Sequence, residues 1–146
     1  MAKPNKRSRL FGGMIRRSEA SGDNNSCTVI ASAIATGSTF EEVQELFSIN
    51  GRKHRRGVST MMMVQNVRQL AKDLGFKVEY YNSKMMRGLK TKVGCGLTVN
   101  NLVKVLPKNK RFILVSNNHA VAVKNGRVHD WAEGRKYHVK EVIEIS

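Results

Sequence analysis

Asn125-Gly126 stands between two short strand-like runs, HAVAVK before it and RVHDW after it. An Asn-Gly pair adopts the left-handed backbone of a two-residue hairpin loop at little steric cost, and its twist matches that of the flanking strands. This pair therefore commits the last third of the chain to neighbouring antiparallel strands, expected over Arg111–Val115, His119–Lys124 and Arg127–Trp131. Lys140–Ile145 reads as a further strand, and Phe76–Tyr81 as an earlier one.

Upstream of this region the apolar period changes from two to about 3.6. Cys27, Ile30, Ala31 and Ile34 fall at i, i+3, i+4 and i+7, with Asn25 or Ser26 placed to cap the helix and Gly37 to end it. Thr39 and Glu42 form a capping box for a second helix carrying Phe40, Val43, Leu46 and Phe47. A third helix starts at Ser59, buries Met63, Val67, Leu70 and Leu74, and closes at Gly75. Thr98 caps a short helix of Val99, Leu102, Val103 and Leu106 that ends at Pro107. Helices first and antiparallel strands after them make an α+β fold, not an alternating βαβ one. One domain over residues 21–146 is expected, preceded by a basic arm over residues 1–20 in which no period is evident.

The charge balance sets the class of partners. Lys and Arg number 26 against 11 acids, a net charge of +15, which favours polyanions and acidic proteins. Arg52, Lys53, Arg55 and Arg56 form the densest basic cluster and are the candidate contacts for nucleic acid or an acidic partner. No zinc finger or RNA-recognition motif accompanies them, and aromatic residues are only 6% of the chain, too few for an evident base-stacking platform. No apolar run reaches the roughly 18 residues of a membrane span. MAKPNKRSRLFGG lacks the apolar core and cleavage site of a secretory signal, so the expected location is the cytoplasm, with no membrane partner. The only cysteines, Cys27 and Cys95, lack the paired spacing of a zinc site; neither a metal nor another cofactor is expected.

Cys27 lies in the first turn of its helix, where free N–H groups and the helix dipole favour a thiolate and stabilise an oxyanion forming on an acyl carbon. His119 opens one arm of the Asn-Gly hairpin and Asp130 closes the other, so the turn brings an imidazole and a carboxylate together. Nucleophile, base and orienting acid are the three parts of thiol-dependent acyl transfer. Singly, a buried small thiol and a strand-start histidine need no function; the combination points to a catalytic set. His129, beside Asp130, points to the opposite face and reads as a surface histidine. His54, among Arg and Lys, reads as solvated, and Cys95 has no obvious base.

A helix-start cysteine followed by H-A-V-A-V, N-G and D-W resembles the papain-like cysteine peptidase superfamily. The likeness is to its small members, such as peptidase domains that process bacteriocin leaders and papain-like proteins of phages. It spans residues 22–132 as an order of elements, with detailed matches only around Cys27 and over 111–131. The resemblance implies N-terminal helices carrying the cysteine, packed on a small antiparallel sheet carrying the histidine and acid. It implies Cys27 as nucleophile, His119 as general base and acid, and Asp130 as orienter, acting through an acyl-enzyme on a peptide or protein substrate. The family's oxyanion-hole Gln has no counterpart before Cys27; Asn24 and Asn25 are the candidates for its place. The alternative expectation is a catalytically degenerate scaffold, a basic phage protein binding nucleic acid or an acidic host protein, in the host cytoplasm or with the virion.

Overall fold

The computed structural model describes residues 9–22, 26–52, 59–82, 98–116, 119–129 and 138–146. Among them are five helices, α1 (Arg9–Ala20), α2 (Cys27–Thr36), α3 (Phe40–Ile49), α4 (Thr60–Leu74) and α5 (Val99–Val105). Five strands, β1 (Val78–Tyr81), β2 (Arg111–Ser116), β3 (His119–Lys124), β4 (Arg127–His129) and β5 (Glu141–Ile145), form one sheet in the order β1-β5-β2-β3-β4. Every neighbouring pair is antiparallel. The chain is thus an α+β protein with an open antiparallel sheet.

Both faces of the sheet are buried. Ile113, Val115, Ala120, Ala122, Ile143 and Ile145 face one core with α1 to α4. Phe112, Leu114, Val121, Val123 and Val142 face the other, with Val99 and Leu102 of α5. The inner strands β2 and β3 read as continuous apolar runs because neither of their faces meets water. α2 is the central helix: all nine residues from Thr28 to Thr36 are buried, as an all-round apolar helix requires. Ala120 and Ala122 let it lie close against β3.

Local signals account for the boundaries. Thr39 and Glu42 close the expected capping box on α3, and Ser59 and Thr98 cap α4 and α5 through their hydroxyls. Gly37 and Gly75 end α2 and α4 in the left-handed conformation. Asn125 at φ 55° and Gly126 at φ 76° make the hairpin loop, with Lys124 paired to Arg127. At α2 the cap differs from expectation. Ser26 occupies the N-cap position, but its hydroxyl bonds Ser18 Oγ at 2.6 Å rather than a helix N–H, tying α1 to the start of α2.

Three readings are corrected. From Arg9 onward the expected basic arm is helix α1, which buries Phe11, Gly12, Ile15 and Ser18. Its apolar stripe, Phe11, Met14 and Ile15, is narrow and interrupted by glycines and arginines, which hides the period. In α4 the buried stripe is Met63, Val64, Val67 and Ala71; Leu70 is only partly buried, and Leu74, the last residue of the helix, is exposed. The strand expected over Phe76–Tyr81 begins at Val78, since the turn that follows Gly75 holds Phe76 N–H on Ala71 O at 2.9 Å.

Candidate active site

Cys27 is the first residue of α2 and His119 the first of β3, and the packing of that helix on that strand brings the two together. Their side chains are hydrogen-bonded to each other. The N–H groups of Ala120 and Thr28 also donate to the sulfur. Both Cys27 and His119 are half-buried, so the pair is shielded yet open to a reactant. Cys27 is a free thiol.

Burial is the largest influence on this sulfur and by itself pushes the thiol up. The His119 hydrogen bond, the charge of its imidazolium and the two N–H donors outweigh burial and hold the thiol below its ordinary value. The position at the start of α2 acts in the same direction. A thiol held below its ordinary value beside an imidazole can supply a thiolate to attack an acyl carbon, and the imidazole can return a proton to a leaving group.

Sequence reasoning placed Cys27 and His119 correctly at the starts of their elements. It missed the N–H of Ala120, whose signal is the small residue directly after the histidine, where a larger side chain would hold α2 away. Asp130, Asn24 and Asn25 lie outside the described residues, as do Lys53, Arg55, Arg56, His54 and Cys95.

Two residues lie deeper than their place in the sequence suggests. Arg52, a candidate contact for nucleic acid or an acidic partner, is 5% exposed. Gly51, at φ 108°, folds the chain back so that Arg52 N–H bonds Phe47 O at 2.8 Å, and Arg52 lines a hollow with Glu41, Gln44 and Glu45. His129, read as a surface residue, is buried: it is opposite Ala122 in the ladder and so shares its helix-side face.

Among the described residues, no three His, Cys, Asp or Glu side chains are grouped as metal ligands, and no helix is long and apolar enough to cross a membrane. No family model, curated protein or solved structure matches the chain.

Proposed function

We propose that the chain is a cysteine hydrolase of papain-like design that cleaves a peptide, isopeptide or similar amide bond. The observation that carries this reading is the hydrogen bond between Cys27 and His119, made across two elements and accompanied by a depressed thiol. A structural thiol in an apolar core has no need of an imidazole and is raised by burial rather than lowered.

In the proposed reaction the Cys27 thiolate attacks the amide carbonyl carbon, and the oxyanion that forms is held by N–H groups at the start of α2. The C–N bond then breaks, and the amine leaves with the proton carried by His119. Neutral His119 next takes a proton from water, which attacks the thioester carbon. The acid product departs, and sulfur and imidazole regain their starting states. Asp130 is the proposed orienter of the His119 ring, and Asn24 or Asn25 the proposed side-chain contribution to the oxyanion hole.

The test is covalent labelling with an electrophilic cysteine probe, read by peptide mass spectrometry in the native chain and in Cys27→Ala and His119→Ala. Cys27 is expected to label faster than Cys95 and to depend on His119. Equal rates at the two cysteines, unchanged by His119→Ala, would sink the proposal.

The net charge of +15 favours a second reading, a basic scaffold that binds nucleic acid or an acidic protein. It calls for affinity that falls steeply with salt, and it is dismissed by absent binding near physiological ionic strength.

A further inference from the structure

Glu141 opens β5 and is paired with Val115 of β2, which in turn is paired with Ala120 of β3. These three residues form one row across the sheet, so their side chains share a face. Val115 and Ala120 belong to the helix-side core, and Glu141 therefore points to the side on which Cys27 lies. Two strand spacings separate it from Ala120, about 10 Å between Cα atoms. Ala120 is the residue whose N–H touches the Cys27 sulfur.

The partners of this carboxylate are unusual for such a basic chain. Glu141 Oε1 accepts from Thr60 Oγ1 at 3.1 Å, and Oε2 accepts from Tyr80 OH. Among the described residues its partners are these two hydroxyls and no cation, although Lys and Arg outnumber acids 26 to 11. Nor does α4 need Glu141 as a cap, since Ser59 Oγ already accepts from Met62 N–H. Burial first, and then the bond to Glu141, push Tyr80 up to about 12, so it remains a donor throughout the physiological range. A carboxylate offers about four acceptor positions, of which the hydroxyls use two. Glu141, Tyr80 and Thr60 are all half-buried, which leaves the remaining positions open to a ligand in a partly desolvated place.

We propose that Glu141 is a specificity residue that receives a cationic side chain of the substrate, lysine or arginine, next to the bond that Cys27 attacks. This rests on the hydrolase reading and names its substrate class: peptides with a basic residue beside the scissile amide. Thr60 and Tyr80 are positioning residues that hold the carboxylate in one orientation, so that little side-chain entropy is lost on binding.

The experiment uses peptidyl acyloxymethyl ketones that differ only in carrying lysine, norleucine or glutamate beside the reactive ketone or one residue before it. Second-order labelling rates at Cys27 are read by intact mass in the native chain, Glu141→Gln and Tyr80→Phe. The native chain is expected to prefer lysine over norleucine about tenfold, as one charge-assisted contact gives, and to react slowest with glutamate. In Glu141→Gln the lysine-to-norleucine ratio falls to about one, and in Tyr80→Phe to an intermediate value. Tyr80→Phe keeps the charge, so it decides the matter if Glu141→Gln does not fold; an unchanged ratio there overturns the proposal. Iodoacetamide separates the two levels of inference. If its reaction with Cys27 depends on His119 but the native chain does not distinguish lysine from norleucine, the hydrolase reading stands and the role of Glu141 falls. If it does not depend on His119, both fall.

Discussion

Removing the imidazole from Cys27 is the sharpest perturbation the site offers. His119→Ala deletes the side-chain hydrogen bond and the charge that act against burial, leaving the N–H groups of Ala120 and Thr28 and the start of α2 to favour the thiolate. Burial is the largest single influence and acts the other way, so the thiol rises once the two His119 contributions are gone. A hydrogen bond to a charged group is worth about 1.5–3 kcal/mol. At fixed pH that is roughly a ten- to hundredfold loss of thiolate. The assay is the rate of iodoacetamide alkylation against pH, in a Cys95→Ser background so that a single thiol is followed. The native chain should react at lower pH than an ordinary thiol, and the His119→Ala profile should shift to higher pH with a slower rate at pH 7. The sign extends to stability. A depressed thiol stabilises the fold above the unfolded pKa of about 8.5, and that contribution is lost as pH falls through the folded value. Superimposable alkylation profiles for the two proteins would refute the reasoning.

Three further outcomes are expected. Ser32→Ala should raise the urea midpoint by the equivalent of about 1–2 kcal/mol, because Ser32 Oγ is fully buried with no hydrogen-bond partner among the described residues and alanine is the better helix former; a lower midpoint argues against it. Ala122→Leu should cost about 1–3 kcal/mol and lower the melting temperature by several degrees, since residue 122 has no exposed surface and faces the helices from β3; an unchanged melting temperature contradicts the close packing of α2. Alkaline stability should depend on Tyr80 and Tyr81. Burial and then Glu141 raise Tyr80 to about 12, while the bond to Glu79 and then burial raise Tyr81 to about 12. The unfolded chain releases these protons near pH 10 and the folded chain keeps them, so stability is full below pH 10 and declines toward pH 12. Urea midpoints from pH 9 to 11 should decline less in Tyr80→Phe/Tyr81→Phe than in the native chain, and an equally steep decline opposes the assignment.

Legibility followed the range of the physics. The capping box of Thr39 and Glu42, the stops at Gly37 and Gly75 and the turn at Asn125-Gly126 are local devices, each contained within a few residues, and they were readable without a partner. The starts of α2 and β3 were readable for the same reason, and with them the positions of Cys27 and His119. Tertiary burial was not. Nothing adjacent to Arg52 in sequence announces that Gly51 turns it inward, and His129 is buried by the helices that cover its sheet face rather than by its neighbours in the chain. α1 escaped notice because its three-residue apolar stripe needs α2 and α3 to bury it. The Thr60, Tyr80 and Glu141 cluster joins residues up to 81 positions apart, and no local pattern encodes such a meeting.

The position of β5 between β1 and β2 has a consequence for how the protein is made. Synthesis is vectorial, and both neighbours of β5 leave the ribosome before it does. Until it follows them, β1 has no partner among the described strands and β2 presents an open edge bearing Phe112, Ile113, Leu114 and Val115. A hydrophobic open edge invites pairing with another nascent chain. The pairings that remove it, such as Val78 with Ile145, close loops spanning nearly half the molecule and so form slowly. Recombinant yield should therefore respond to translation rate and chaperone supply more than the finished fold would suggest, with aggregation arising before the last strand is in place.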